Sequence, residues 1–297
     1  MEMKIIDKTD EKLVLEFSNA DAAEVNTFRR MVVSGVPVMA IEEVEFIKND
    51  SALVDEIVAN RLGLIPLTTP TNTYNKREDC KCDGKGCPLC QVEFSLDVKG
   101  PCVVYASQLI SQDEKIKSAF DDMPITRLLD GQELTINAIA VMGEGREHMK
   151  YAPAIAFYHH KPKFIINNDE AKLSKFKNQY PEAAIKDGKF DEEALLNDKL
   201  YNACEGVCDD LLKIEYEEDK FIFYLESFGQ MTASEVMLAA LNKFNEKLND
   251  FSKSFNFSLN LLAALNKFNE KLNDFEKSMK EGKGKPIADI AKKLMKK

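Results

Sequence analysis

The sequence predicts an α+β protein, and three observations carry that expectation. Segments with period-two alternation and segments with helical periodicity share one chain, and a long helix closes the alternating part. The helical segments carry their own start and stop signals. The composition is that of a soluble globular chain, with 297 residues, 44% hydrophobic, 30% charged and no Trp. This length suggests about one to three domains, enough to bury real cores without disulfide staples.

The first element is a strand, in which Leu13, Leu15 and Phe17 alternate with Val14 and Glu16, after a turn at Thr9-Asp10-Glu11. A helix follows. Asp21 and Glu24 form a capping-box start, Val25, Phe28 and Val32 make one apolar stripe, Gly35 ends it and Pro37 prevents its continuation. A second strand covers Ala40 to Ile47. Asp50 or Ser51 then caps a short helix ending near Leu62, with Gly63 as its stop and Pro66 beyond. Strands are expected at Gln91 to Lys99, Leu134 to Met142 and Ala154 to Tyr158, and a densely apolar one at Phe221 to Leu225. The stretch from Lys161 to Asp210 is richer in Lys, Asn, Asp and Glu and reads as a small inserted module. Thr232 and Glu235 start the last helix with a capping box. Its Met237, Leu241, Phe244, Leu248 and Phe251 form a heptad-like seam.

One internal repeat is present: Leu238–Phe251 and Leu262–Phe275 read the same fourteen residues, LAALNKFNEKLNDF. Their offset of 24 is three more than three heptads. One straight helix therefore cannot keep both seams on one face without overwinding. The tail from Glu276 to Lys297 holds eight Lys against three acids, a local charge of +5 that reads mainly as a solvated helix end.

The net charge of −10 excludes the whole chain as a basic nucleic-acid wrapper. No apolar run reaches the ~20 residues of a membrane span, and Met1-Glu2-Met3-Lys4 lacks a signal-peptide core, so a cytoplasmic protein is expected. The strongest chemical signal is Cys80-x-Cys82-x4-Cys87-x2-Cys90, four of the seven Cys within eleven residues. Four thiolates close one tetrahedral Zn²⁺ and leave no position for water, so the site is structural. Gly84 and Gly86 permit the tight path. One zinc ion is favoured over an iron-sulfur cluster or uncoordinated thiols. Cys204 and Cys208, four apart, are near enough for a disulfide, although two ordinary buried thiols are the favoured reading; Cys102 reads as core. No catalytic residues are identifiable. The His residues (His148, His159, His160) form no triad, and Gly143-x-Gly145 lacks the rest of a dinucleotide motif. Arg29 and Arg30 lie off the apolar stripe and suit carboxylates on a partner.

Taken in order, several segments resemble the D-type subunits of archaeal DNA-directed RNA polymerase, a family related to the third-largest subunit of eukaryotic RNA polymerase II and the bacterial alpha subunit. They are Asn26-Thr27-Phe28-Arg29-Arg30 with Val36-Pro37, Asp55 to Pro66, the Cys80 to Cys90 loop with Val92-Glu93-Phe94, Gly143-x-Gly145-x2-His148-x-Lys150-Tyr151-x-Pro153, and Phe223-Tyr224-x-Glu226-Ser227-x-Gly229. The resemblance covers residues 1 to 250. It implies an α+β dimerisation domain from residues 1–40 and 222–297, of which 252–297 is the duplicated helix and basic tail. It implies a β-rich domain, residues 41–160 and 211–221, inserted into the first and carrying the zinc loop 80–90. Residues 161–210 would be a degenerate ferredoxin-like insert. Only Cys204 and Cys208 remain there and the C-x2-C-x2-C run is missing, so no iron-sulfur cluster is expected.

The resemblance further implies a non-catalytic platform within a DNA-directed RNA polymerase, itself a nucleotidyltransferase complex. Such a platform pairs with subunit L and docks the second-largest catalytic subunit, with small subunits N and P nearby. It meets DNA only through the complex and no membrane at all. The implied partner-binding residues are Asn26, Phe28, Arg29, Arg30, Arg61, Lys150, Tyr151, Met237, Leu241, Phe244 and Leu248. Two rivals stay open. A zinc-containing nucleic-acid regulator would use Lys76, Arg77, Lys81 and Lys85 beside the loop, and a redox protein would use the insert.

Overall fold

In the computed structural model the opening alternation becomes a hairpin of β1 (Glu2–Lys8) and β2 (Lys12–Ser18). The structure describes residues 1–254 apart from 71–72, 187 and 198–199, together with residues 270, 273 and 274. Nearly all of the second repeat copy and the whole basic tail lie outside the described residues. Helix α1 (Ala22–Gly35) starts at the expected box: Asp21 Oδ1 accepts the Glu24 N–H at 2.9 Å, and Glu24 Oε2 accepts the Asp21 N–H at 3.2 Å. Its predicted stripe, Val25, Phe28 and Val32, is buried.

The chain then runs through β3 (Pro37–Asn49), α2 (Asp55–Gly63), β4 (Gln91–Lys99), β5 (Cys102–Tyr105), β6 (Ile110–Ser111), β7 (Pro124–Leu128) and β8 (Glu133–Glu144). It returns through β9 (Ala154–Ile166) and a small module of α3 (Glu170–Phe176), β10 (Ile185–Lys186), β11 (Lys189–Phe190), α4 (Glu192–Asn197) and α5 (Tyr201–Cys204). It ends in β12 (Leu212–Ser227) and α6 (Ala233–Ser254). At the start of α6, Thr232 and Glu235 are capped reciprocally: the Thr232 N–H donates to Glu235 Oε2 at 2.9 Å, and Thr232 Oγ1 accepts the Glu235 N–H at 3.3 Å.

Two four-stranded antiparallel sheets organise these elements, in the orders β1-β2-β12-β9 and β3-β8-β4-β6, beside a separate β5–β7 pair. On the first sheet, Leu13, Leu15 and Phe17 of β2 and Phe221, Phe223 and Leu225 of β12 point to one face. There they bury against α1 and against Val236, Met237, Ala240 and Leu241 of α6. Phe28 stacks on Phe17 with ring centroids 5.6 Å apart and meets Phe244 edge-on at 5.7 Å. On the second sheet, α2 supplies Val58 and Leu62 to a core with Leu96, Ile136 and Val104. β3 serves both cores: Val38 and Ala40 face the first, and Met39 and Ile41 face the second.

Three expectations change. The short helix starts at Asp55 behind Val54, which offers no side-chain cap, because Asn49 and Ser51 bond to each other and to Leu53 instead. His159 and His160 do not end a strand, since β9 continues to Ile166 and pairs with β12 along its length. The apolar strand expected at Phe221 to Leu225 is the end of a longer one, since β12 starts at Leu212 and pairs with both β2 and β9 in the first sheet. The small module sits at the far end of the β9–β12 ribbon with a core of its own, including Leu173, Tyr180, Phe190, Leu195 and Cys204. Its only described sheet is the two-residue β10–β11 pair. No helix among the described residues is long and apolar enough to cross a membrane.

Phe28 is 1% exposed. Phe28→Ala is expected to lower unfolding free energy by about 3–5 kcal/mol, as large-to-small core changes do. Exposed Arg30→Ala is expected to stay within about 0.5 kcal/mol. Urea unfolding midpoints at unchanged m check both.

Candidate metal centre and docking residues

The four-cysteine loop joins α2 to β4 and is built from turns. The Asp79 N–H donates to the Lys76 carbonyl at 3.1 Å, Cys80 N–H to Arg77 at 3.4 Å, Asp83 N–H to Cys80 at 3.1 Å and Cys90 N–H to Cys87 at 2.9 Å. Asp83, Gly84 and Gly86 all hold positive φ, and glycine makes this cheap at two of the three. The result gathers the sulfurs of Cys80, Cys82, Cys87 and Cys90, all within 4.8 Å of one another. Cys80–Cys87 is 3.5 Å, Cys82–Cys90 is 3.6 Å and Cys87–Cys90 is 3.8 Å. A tetrahedral ion with sulfur at about 2.3 Å requires sulfur–sulfur edges of about 3.8 Å. The four can therefore hold one metal ion, with a spacing compatible with zinc. The Cys82 thiol is held down to about 6, chiefly by its hydrogen bond with Cys80, while the Cys80 and Cys90 thiols are pushed up, so the metal-free cluster favours one thiolate and not four.

The loop is tethered by charge. Lys76 Nζ lies 2.9 Å from Glu144 and 2.9 Å from Glu147. Arg77 reaches Glu43 at 2.6 Å and Gln91 at 3.1 Å. Glu144 is 2% exposed and also meets Arg146 Nε at 2.8 Å. Burial pulls the Lys76 ammonium down, but hydrogen bonds with Glu147 and Glu144 outweigh it and hold it above its usual range. The rival nucleic-acid reading needs Lys76 and Arg77 for phosphates, and both are paired with acids distant in sequence. The close Lys76-Arg77 and Glu144-x2-Glu147 pairs were the available signal.

The Gly143-x-Gly145 segment has a packing role. A Cβ on Gly143 would stand 2.6 Å from the Tyr151 ring, and one on Gly145 would strike the Val33 carbonyl of α1. Tyr151 is buried, and its hydroxyl donates to Glu42 Oε2 at 2.8 Å. Lys150 pairs with Glu42 and donates to the Ile41 carbonyl at 2.9 Å. That ammonium, hydrogen-bonded to the carboxylate, holds Glu42 below the usual carboxylate range. Burial, followed by the bond to Glu42, pushes the Tyr151 phenol up.

The residues expected to meet partners fall into two groups. Phe28, Tyr151, Met237 and Leu241 are buried inside the chain itself, and Phe244 packs half-buried against the same core, because the first sheet takes up these faces. Arg30 is exposed, while Asn26, Arg29 and Leu248 are half-buried. Arg29 Nε donates to Asn26 Oδ1 at 3.0 Å, along the helix. Arg61 donates to the Ile125 carbonyl at 2.7 Å, tying α2 to β7. Around it Val54, Ile57 and Leu64 stand exposed on one side of α2. Cys204 and Cys208 are free thiols without a disulfide, Cys204 being fully buried, and Cys102 is half-buried rather than core.

The family profile described as the RNA polymerase Rpb3/RpoA insert domain matches residues 41–155, the span from β3 to the start of β9. The chain is 37% identical to DNA-directed RNA polymerase subunit Rpo3 of Methanosarcina acetivorans over 257 residues, 84% of this chain and 96% of that one. It is 33% identical to the Rpo3 subunit of Archaeoglobus fulgidus, across 85% and 97% of the two chains. The Rpo3 subunit of Thermococcus kodakarensis is 32% identical, across 84% and 96%. The chain belongs to the archaeal Rpo3 family of DNA-directed RNA polymerase subunits.

Glu42 gives a pH signature. Its folded-state pKa lies below the ordinary 4.5, so its stabilising contribution is present above that value and fades as pH falls through the lower folded one. Glu42→Gln is expected to lose less stability than the wild type between pH 7 and about pH 3. The side chain is partly exposed, so the difference is expected to be about 1 kcal/mol or less and to shrink in high salt. Urea midpoints across pH read it.

Proposed function

We propose that this chain is the assembly platform of an archaeal multisubunit RNA polymerase, a cytoplasmic component with no chemistry of its own inside a nucleotidyltransferase complex. The observation that carries this reading is the reach of the Rpo3 match, which runs through both sheets and spans nearly the whole of each relative. In this reading subunit L seats on the α1–α6 layer. Asn26, Arg29 and Arg30 of α1 and Leu248 of α6 would meet it directly, while Phe28, Met237, Leu241 and Phe244 hold that layer in shape from beneath. The second-largest catalytic subunit would dock on the α2 side, where Val54, Ile57 and Leu64 are exposed and Arg61 and Lys150 fix the backbone around them. Small subunits N and P would lie nearby, and DNA would be met only through the complex.

The four cysteines would hold one structural zinc ion. Its role there is cross-linking, since four protein ligands leave no open position for a substrate. Lys76 and Arg77 are both paired with acids, which weighs against a free nucleic-acid regulator that would need them for phosphates.

Native mass spectrometry of the chain co-expressed with subunit L of the same organism tests both parts. A one-to-one complex carrying one zinc mass is expected, with the zinc lost in Cys90→Ser. A zinc-bound monomer that ignores subunit L would overturn the platform reading, and an iron-and-sulfide adduct would overturn the zinc assignment.

A further inference from the structure

The four-cysteine loop and α1 share no residue, yet a short run of contacts joins them. The first turn of the loop hangs its Asp79 and Cys80 amides on the carbonyls of Lys76 and Arg77, and the Asn75 N–H donates to the Leu89 carbonyl at 2.9 Å. A metal that fixes the four sulfurs therefore fixes the backbone of residues 75–77. From that backbone the Lys76 side chain reaches away to Glu144 and Glu147, each at 2.9 Å. These two acids bracket a turn that lies directly on the end of α1. The Arg146 N–H donates to the Ser34 carbonyl at 3.3 Å, and Gly145 packs so close to the Val33 carbonyl that no side chain fits between them.

The Lys76–Glu144 pair is almost wholly withdrawn from water, with side-chain exposures of 13% and 3%. Withdrawing one partner of a buried pair leaves an uncompensated charge, and this is strongly unfavourable. Arg146, the other cation on Glu144, holds Oε2 at 2.8 Å and is itself 61% exposed, so losing Lys76 leaves the buried Oε1 without its cation. When the loop loses its cross-link, Lys76 loses its fixed origin. Hydrating the Glu144 oxygen that Lys76 had held would require this turn to open, at the expense of its contact with Val33 and Ser34.

We propose that Lys76 is a positioning residue that couples metal occupancy of the four-cysteine loop to the C-terminal turn of α1, and through it to the partner face. Coupling of this kind is reciprocal: metal loss weakens partner binding, and partner binding tightens metal retention. The proposal rests on the platform reading only for the partner's identity.

Two measurements on the full chain, zinc-loaded and chelator-stripped, test it in wild type, Lys76→Met and the conservative Lys76→Arg. The first is hydrogen exchange of the amides of residues 33–36, which needs no partner. Stripping zinc is expected to speed exchange there in wild type and Lys76→Arg. In Lys76→Met, exchange is expected to be fast already and indifferent to zinc. The second is the Kd for purified subunit L, expected to weaken about fivefold or more on stripping in wild type and to change little in Lys76→Met. Wild-type exchange that ignores zinc, or a Lys76→Met variant that responds as wild type does, overturns the relay. Failure of subunit L to bind the zinc-loaded wild type overturns the platform reading instead, and the exchange data still decide the relay. Lys172→Met, which breaks the distant Lys172–Asp210 pair, serves as the control and is expected to respond as wild type does.

Discussion

The pairing of β3 with β8 is the constraint from which the rest of the molecule follows. The two strands run antiparallel from Pro37 opposite Glu144 to Asn49 opposite Leu134. Side chains on a strand alternate between faces, so one strand can wall two compartments. Val38 and Ala40 turn to one core and Met39 and Ile41 to the other, while Val141 and Ala140 do the same from β8. A one-residue slip would exchange these sets and mispack both cores at once. The β-rich unit is thus an outgrowth that shares a wall with the layer below, and its orientation is set where the wall ends.

At that end the packing is tight and opposite charges converge. Gly143 makes room for Tyr151, and Gly145 makes room for the end of α1. Tyr151 and Lys150 then converge on Glu42, and Lys76 and Arg146 converge on Glu144. Only the Lys76–Glu144 pair is withdrawn from water on both sides, and such a pair adds little net stability compared with apolar packing. In this structure these contacts sit where two units and a metal-binding loop must keep one relation.

Much of this was legible in the residues. The Asp21/Glu24 and Thr232/Glu235 boxes located both long helices, because capping is local chemistry. Alternation located β4 to the residue, since one of its faces is buried and the other is wet. Cysteine spacing located the four-sulfur cluster, because short turns alone bring those sulfurs together. The failures have a common cause. The helix seam of Met237 and Leu241 read as a partner surface, but an apolar stripe cannot declare which neighbour covers it, and the chain's own sheet does. β9 and β12 were cut short because their distal halves carry Lys163, Glu215, Glu217 and Glu218, polar residues on a ribbon whose apolar positions pack on the small module and not on the main core. The acids opposite Lys76 and Lys150 escaped because the pairs span 68 and 108 residues of sequence.

The β9–β12 ribbon also makes the small module separable. Ile166 and Leu212 face each other as the last pair of the ladder, so the chain leaves and re-enters the sheet across a single strand spacing of about 5 Å. The described residues between them gather around one apolar centre, to which the ribbon adds Leu212, Phe164, Ile166 and Ile214. The geometry at that gap is what a tight hairpin turn requires. A lineage could trade this module for another, or for a two-residue turn, and leave the ladder beneath it in register. The Rpo3 scaffold thus carries a socket at this point, where new surface can be added without refolding the old.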